Sequence, residues 1–166
     1  LTTTVAKLRR DFPDIEYVPL LGDCGDPALI NHALSRTEPD AVFHAAAYKQ
    51  VPLLEEQLRE AIRNNVLATS TVAHACREHG VGTFVLISTD KAVDPVNVLG
   101  ATKRLAEMTC QSLADHRSTR FVTVRFGNVL DSAGSVVPLF RDQIRNGGPV
   151  TVTDPEDGTV DCSRVT

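Results

Sequence analysis

A short apolar run followed at once by four polar residues constrains the fold of this chain more than any other feature. Residues 84–87 (FVLI) are uninterrupted apolar, which is typical of a central strand in a parallel sheet covered on both faces. Residues 88–91 (STDK) follow directly, and a helical pattern begins after Asp94-Pro95. Ligands of open α/β sheets bind beyond the carboxyl ends of the strands, so this pattern predicts a functional site. An ordinary capped turn, with Lys103 as an exposed helical lysine, explains the same residues equally well.

Strand-like and helix-like segments alternate along the chain. This alternation predicts a doubly wound parallel α/β sheet of the Rossmann type, with neighbouring strands near Ile15, Ala41, Phe84 and Arg120. Asn64-Asn65 should interrupt a long helix, because asparagine side chains compete for backbone hydrogen bonds. The predicted strands are 15–21, 41–47, 84–87, 120–125 and 150–153, and the predicted helices are 1–12, 27–38, 53–79, 101–116 and 136–145.

Composition excludes several classes of protein. The formal net charge is −4 and no basic run occurs, which argues against nucleic acid as a partner. The four cysteines are scattered without Cys-x-x-Cys or histidine clustering, so we expect no metal site and a reduced, cytoplasmic environment. No apolar run approaches the roughly 18–20 residues of a membrane helix, so we expect no membrane segment.

Several motifs in sequence order carry a family resemblance. They are GDCGD, HAAAYKQVPLLEE, RNNVLATSTVAHA, FVLISTDKAV, GATKRLAE, VRFGNVLDSAGSVVPLF and GGPVTVTDP. In these motifs the chain resembles the nucleotide-sugar 4,6-dehydratases of the polysaccharide biosynthesis (CapD-like) group, within the extended short-chain dehydrogenase/reductase superfamily. The resemblance implies an NAD-dependent UDP-N-acetylglucosamine 4,6-dehydratase, a lyase that forms a 4-keto-6-deoxy sugar. The alternatives are a UDP-sugar 4-epimerase and a non-catalytic nucleotide-binding fragment.

The resemblance also implies roles for the catalytic residues. Thr89 would hydrogen-bond the C4 oxygen of the sugar, Asp90 would assist loss of the C6 hydroxyl, and Lys91 would remove the C5 proton. Lys103 would bind the ribose of the nicotinamide. Most short-chain dehydrogenases have a tyrosine four residues before that lysine, whereas this chain has Leu99, which cannot transfer a proton. Leu99 therefore disfavours the epimerase.

Two further sets of residues are implied by the resemblance alone. The cofactor NAD would contact one set, in which Asp23 and Cys24 lie near the adenine and Asn65 supports the site from a helix. The substrate, a UDP-sugar, would contact the other. The cofactor set is Asp23, Cys24, Ala45, Ala46, Lys49, Asn65 and Lys103; the substrate set is Asn128, Ser135, Val136, Pro138, Thr151 and Thr153.

The resemblance covers residues 1–156 and leaves residues 157–166 as an unmatched tail. The glycine-rich dinucleotide fingerprint is absent, so we expect a fragment of a longer enzyme, lacking the N-terminal βα unit and binding NAD⁺ poorly by itself. By resemblance the protein would form homo-oligomers. The parent protein would lie at the cytoplasmic face of a membrane.

Overall fold

The computed structural model describes residues 2–114, 119–127, 136–152 and 160–162, and the chain divides into the units Leu1–Arg125 and Phe126–Thr166. The helices and strands alternate as the sequence predicts. In order they are α1 (Thr2–Asp11), α2 (Pro27–Thr37), β1 (Ala41–His44), α3 (Val51–Glu56), α4 (Leu58–Ile62), a π-helix (Arg63–Leu67), α5 (Ala68–Glu78), β2 (Thr83–Thr89), a 3₁₀ turn (Asp90–Ala92), α6 (Val98–Ser112), β3 (Arg120–Phe126), α7 (Val136–Arg145), β4 (Val150–Val152) and β5 (Val160–Cys162).

The apolar run forms the central strand of the first unit, as predicted. The strand order is β1-β2-β3, and β1 runs parallel to β2 with Ala41 opposite Thr83 and His44 opposite Leu86. Phe84 and Leu86 are fully buried. The predicted fold class, a parallel Rossmann-like sheet with helices, is confirmed.

The main hydrophobic core joins β2 to the helices on either side of it in sequence. Small side chains of α5 and α6 allow these helices to pack closely on the strand, so the core between them is filled with few large residues. Leu34 extends the same core to α2. The central members are Val72, Ala73, Cys76, Phe84, Leu86, Ala106 and Cys110.

One predicted strand is wrong. Residues 15–21 form no strand, and the exposed fractions of Ile15 and Leu21 are 55% and 86%. A strand exists only where a neighbouring strand completes its hydrogen-bond ladder. In the part of the chain that the structure describes, β1 is the edge of the sheet and no strand pairs with residues 15–21. The apolar pattern therefore lacks the partner that would make it a strand.

A local signal places the start of α2 where the sequence predicts it, whereas α6 begins at Val98 and ends at Ser112 rather than spanning 101–116. The carboxylate of Asp26 accepts a hydrogen bond of 2.9 Å from the backbone N–H of Ala28 and so caps α2, and Pro27 occupies the first turn. The predicted break at Asn64-Asn65 appears as the π-helix inside a longer helical segment. Such single-turn bulges are frequent at functional sites.

The second unit consists of α7 and a two-stranded antiparallel sheet of β4 and β5. Val150 lies opposite Cys162, so part of the tail that the sequence left unmatched pairs with a predicted strand. Among the described residues of both units, no helix combines the length and apolar character needed to cross a membrane.

Candidate functional site

Three polar side chains lie together where β2 ends. The hydroxyl of Thr89 donates to Oδ1 of Asp90 at 2.9 Å, and Nζ of Lys91 lies 3.2 Å from the same oxygen. The hydrogen bonds from Thr89 and then Lys91 lower the pKa of the exposed Asp90 carboxyl. The strand end therefore presents a carboxylate and an amine that share one hydrogen bond, with the hydroxyl beside them.

Helix α6 packs directly against this strand end because residue 100 is glycine. A Cβ at Gly100 would lie 2.1 Å from the carbonyl oxygen of Lys91, a distance that no side chain tolerates. Two side-chain oxygens cap the start of the helix: the amide Oδ1 of Asn97 accepts from the N–H of Gly100 at 2.8 Å, and the carboxylate Oε1 of Glu55 accepts from the N–H of Val98 at 2.7 Å. Gly100 thus allows the close approach of α6 to Lys91, while the two caps order the first turn of the helix and tie it to α3.

Lys103 lies on α6 and is buried, with an exposed fraction of 4%. In the described part of the chain, no hydrogen bond or ion pair reaches its amine. Burial lowers the pKa of Lys103, and Cys110 and Glu107 on the same helix only partly oppose this effect. Burial and the charge of Lys103 together lower the pKa of His44 to about 4, so His44 is neutral at pH 7. A buried amine without an acceptor is costly, which marks this position as one that stability alone does not explain.

Asn65 connects the loop after β1 to α6. Its Oδ1 accepts from the N–H of Tyr48 at 2.8 Å, and its Nδ2 donates to the carbonyl of Tyr48 at 3.1 Å and to Oγ1 of Thr102 at 3.2 Å. The side chain is fully buried in the π-helix. The amide thus binds both the N–H and the carbonyl of Tyr48, as a neighbouring strand would. It also binds Thr102, which directly precedes Lys103 on α6.

Two cavities flank Tyr48. The first, of about 540 Å³, is lined by Lys49, Gln50 and Leu53 among others. The second, of about 420 Å³, is lined by Asp23, Arg63 and Asn64 among others, and Tyr48 and Glu60 line both.

The two residues predicted to lie near the adenine, Asp23 and Cys24, have side chains in different surroundings. Asp23 lines the second cavity, where its Oδ1 accepts from the N–H of Gly25 at 2.8 Å and its Oδ2 lies 3.9 Å from Arg63. Cys24 is half-buried and packs against the main core, and burial raises the pKa of its thiol. Ala45 and Ala46 are exposed in the loop after β1. The parallel register places this loop at the same sheet edge as Thr89.

The predicted substrate residues lie in the second unit. Asn128, Ser135 and Thr153 lie outside the described residues, and for Val136, Pro138 and Thr151 the structure describes only the backbone, in α7 and β4. Their roles stay predictions. Across the described residues, no group of three or more His, Cys, Asp or Glu side chains could hold a metal ion.

Leu99, four residues before Lys103 on α6, has a clear packing role. It is buried in a small apolar cluster with Leu54 and Ala61. This contact joins α6 to α3 and α4, so an apolar side chain is what the local packing requires.

Sequence reasoning missed Glu107. Its carboxylate is fully buried and accepts from Ser88 Oγ at 2.6 Å, from Arg125 Nε at 2.8 Å and from Arg104 Nη1 at 3.1 Å. Burial raises the pKa of Glu107, but the hydrogen bonds from Arg125, Ser88 and Arg104 outweigh it and bring the pKa down to about 2. The available signal was its position four residues after Lys103, on the apolar stripe of α6 with Ala106.

Comparison with known proteins yields a family and several relatives. Residues 3–157 match a family described as "Polysaccharide biosynthesis protein". The chain is 57% identical over 143 residues to the capsular polysaccharide biosynthesis protein CapD of Staphylococcus aureus, covering 86% of this chain and 24% of the relative. It is 48% identical over 119 residues to the UDP-glucose 4-epimerase of Rickettsia canadensis, covering 70% and 35% of the two chains. It is 40% identical over 139 residues to the UDP-N-acetylglucosamine 4,6-dehydratase (inverting) of Campylobacter jejuni, covering 80% and 41%.

A solved structure, that of Pen from Bacillus thuringiensis, is similar to this chain with a TM-score of 0.82 and 36% identity. The match covers 93% of this chain and 48% of Pen. The chain therefore spans less than half the length of these similar proteins. Relatives of both reaction types, dehydratase and epimerase, are present among them.

Proposed function

The chain belongs to this family of polysaccharide biosynthesis proteins, and from that premise we propose that it carries the catalytic core of a nucleotide-sugar dehydratase. The finer form of the proposal is a UDP-N-acetylglucosamine 4,6-dehydratase that uses NAD⁺. Its support is the identity to a dehydratase of that name together with the geometry around β2 and α6. The relatives are longer than this chain, so the family assignment and the activity of this chain by itself are separate questions.

The observation that carries the proposal is the buried amine of Lys103. An ammonium taken out of water without an acceptor costs free energy, and replacing it by an apolar side chain would relieve that cost. A ligand that brings hydroxyl oxygens to the amine would satisfy it instead. A ribose of a nicotinamide dinucleotide fits this requirement, so the residues present suit the cofactor. When bound, that cofactor supplies the acceptance of a hydride from C4 of the sugar and its return to C6.

Asp90 and Lys91 supply the proton transfers in this proposal. In the ion pair, Asp90 is ionised and has no proton to give, and Lys91 is protonated and can take none. Transfer of the shared proton from Nζ of Lys91 to Oδ1 of Asp90, across 3.2 Å, creates both at once. Exclusion of water by a bound sugar favours this neutral pair, because desolvation disfavours charged forms.

The two groups then act on opposite sides of one elimination. The neutral amine of Lys91 takes the C5 proton of the 4-keto sugar, and the electrons of that bond form the C5–C6 double bond as the C6–O bond breaks. Asp90 gives its proton to the departing hydroxyl, which leaves as water. The Thr89 hydroxyl, which donates to Asp90 in the free chain, turns to donate to the C4 oxygen. The lysine ends protonated and the aspartate ionised, which restores the original ion pair.

The remaining parts of the proposal follow the resemblance. Asp23 would bind the adenine end of the cofactor beside Tyr48. The small side chains of Ala45 and Ala46 would let the ribose and diphosphate of the cofactor come close to the backbone at the sheet edge. Lys49 lines the neighbouring cavity and is proposed to contact the cofactor or sugar. Homo-oligomers, a cytoplasmic location and recognition of the UDP moiety by the second unit belong to the same proposal.

A 4-epimerase is the second candidate, because a relative of that name shares 48% identity with this chain. Leu99 argues against it: an epimerase needs a base for the C4 hydroxyl, and the side chain here is apolar and buried against Leu54 and Ala61. Thr89 and Asp90 would have to replace it.

One incubation distinguishes the candidates. The chain is mixed with NAD⁺ and UDP-N-acetylglucosamine in D₂O, and the products are analysed by mass spectrometry and NMR. A dehydratase forms a product that has lost one water molecule and gained deuterium at C5, because the C5 proton is exchanged. An epimerase forms an isomer without deuterium, and that result would overturn the dehydratase. In a full-length enzyme that also carries the dinucleotide-binding unit, Asp90→Asn should lower turnover by about 10²–10⁴-fold, the usual size of lost acid–base assistance. Asp94→Asn, in the exposed loop that follows, is the matched control.

A further inference from the structure

A cluster of four side chains lies behind the candidate site and is not part of the proposed chemistry. Glu107 of α6 is its centre, and Ser88, Arg104 and Arg125 donate to it. We call these four residues the Glu107 cluster. Glu107 is fully buried, whereas the side chains of Arg104 and Arg125 are 42% and 37% exposed.

The cluster joins three elements of the first unit, of which β2 and α6 carry candidate residues. Ser88 directly precedes Thr89 at the end of β2, Arg125 lies at the end of β3, and Glu107 lies on α6. The bond from Arg125 is bidentate, with Nε and Nη2 donating to the two carboxylate oxygens, which fixes orientation as well as distance. Neighbouring strand ends are thus held to one helix by a single carboxylate.

Glu107 also lies one helical turn after Lys103. Residues four apart share a face of a helix, and both of these side chains are buried. No ion pair joins them, so the carboxylate acts on the amine through space, where low polarity strengthens the interaction. Among the described residues, the other titratable groups that interact with Lys103 are Cys110 on its own helix and His44 on β1, and both are neutral at pH 7.

We propose that Glu107 is a positioning residue: it holds the ends of β2 and β3 against α6 and supplies the negative charge that favours the protonated form of Lys103. The arginines limit this effect, because their positive charges oppose it. Removal of Glu107 and removal of Arg125 should therefore change the charge state of Lys103 in opposite directions. A purely structural cluster predicts no such opposition, since either loss would loosen the same contacts. The inference rests on the proposed function only in treating Lys103 and residues 89–91 as the working residues.

The test reads Lys103 directly and needs no substrate. The chain has only four lysines (Lys7, Lys49, Lys91 and Lys103), so ε-¹³C-lysine labelling gives four resolvable NMR signals, and Lys103→Arg assigns the one in question. The titration midpoint of Lys103 is measured in the wild type, Glu107→Gln and Arg125→Gln. Ser88→Ala is the matched control, because it removes a hydrogen bond of the cluster without changing charge.

We expect the midpoint to fall in Glu107→Gln, to rise by a smaller amount in Arg125→Gln and to stay constant in Ser88→Ala. An unchanged midpoint in Glu107→Gln, or shifts of the same sign in both charge variants, would overturn the electrostatic role. If Glu107→Gln does not fold, Arg125→Gln decides alone: a rise supports the role and a constant midpoint overturns it. Because no turnover is measured, failure here leaves the dehydratase proposal standing, and failure of the activity assay leaves this result standing.

The positioning role has its own readout. Backbone amide shifts of residues 89–91 should change in Ser88→Ala, because the Ser88 hydroxyl ties that strand end to α6. Ser112→Ala, on the same helix, removes only a local bond to the carbonyl of Thr109 and should leave these shifts unchanged. Equal shifts of residues 89–91 in the two variants, or none in Ser88→Ala, would overturn the positioning role.

Discussion

Two buried charged residues one turn apart on α6 have opposite surroundings. Glu107 accepts hydrogen bonds from three side chains and has a pKa of about 2, far below the usual range. Lys103 donates no hydrogen bond to, and forms no ion pair with, any described residue, and burial lowers its pKa. The same helix thus holds one charged side chain with several hydrogen-bond partners and one with none among the described residues.

This contrast separates a structural charge from a functional one. A buried carboxylate with several donors stabilises the arrangement that surrounds it, and removing it leaves its partners unsatisfied. A buried amine without an acceptor contributes nothing to the stability of the free chain. It is retained, in our proposal, for a ligand that the chain binds. The two residues therefore should respond to substitution in different ways.

The largest effect is expected when Glu107 is removed. Glu107→Ala leaves Ser88 and two arginines without their acceptor, so the free energy of unfolding should fall by about 3–5 kcal/mol. Urea denaturation followed by circular dichroism measures this. Glu78→Ala, at an exposed site on α5, is the control and should change stability little. A loss no larger than that of the control would show that the cluster is not structural.

Lowering the pH should reduce the free energy of unfolding, because it protonates the carboxylate of Glu107. The pKa of Glu107 is about 2 in the folded chain and higher in the unfolded chain, so the unfolded state binds more protons between these values. The stability from Glu107 is therefore complete above about pH 5 and lost towards pH 2, a change of about 3 kcal/mol. His44 acts at higher pH, between about 6.5 and 4, because its neutral form is the buried one.

Comparing the pH dependence of unfolding in the wild type and Glu107→Gln isolates the first effect. The variant should lose the part of the dependence below pH 5 that comes from Glu107 and keep the parts that come from Asp90 and His44. Parallel curves for the two proteins down to pH 2 would contradict the assignment.

A smaller loss is expected at Gly100, which brings α6 and both charges against the end of β2. In Gly100→Ala the new Cβ would overlap the carbonyl of Lys91, so the helix must shift, at a cost of about 2 kcal/mol. Ala101→Gly, at the next position, costs helix propensity of about 1 kcal/mol without any overlap and serves as the control. Amide shifts of residues 89–91 should move in the first variant and stay in place in the second.

The smallest effect on stability, and the sharpest contrast with Glu107, is expected for Lys103→Met. The apolar side chain of similar length needs no acceptor, so the free energy of unfolding should stay constant or rise by up to about 1 kcal/mol. Binding of NAD⁺, which we expect to be weak in this chain already, should weaken further, as measured by calorimetric titration. The wild type should also gain stability as the pH rises through the lowered pKa of Lys103, and the variant should not. A clear loss of stability in Lys103→Met would show that the amine has a structural partner.

Much of the fold could be predicted because local patterns decided it. The run 84–87 predicted a buried central strand, Asp26-Pro27 predicted a helix start, and Asn64-Asn65 predicted an interruption that is a π-helix in the structure. Residues 15–21 show the limit of this reasoning. Their apolar pattern is compatible with a strand, but strand formation depends on a neighbour that the pattern does not contain.

The candidate site divides in the same way. The sequence by itself determined that Thr89, Asp90 and Lys91 follow a buried strand, because these residues are consecutive and the apolar run fixes their place. Only the tertiary structure decided that Lys103 is buried without an acceptor and that Glu107, one turn away, binds Ser88 and Arg125 from two different strands. Burial and hydrogen-bond partners depend on segments distant in the chain, so a residue's own neighbours in sequence cannot specify whether its charge is satisfied.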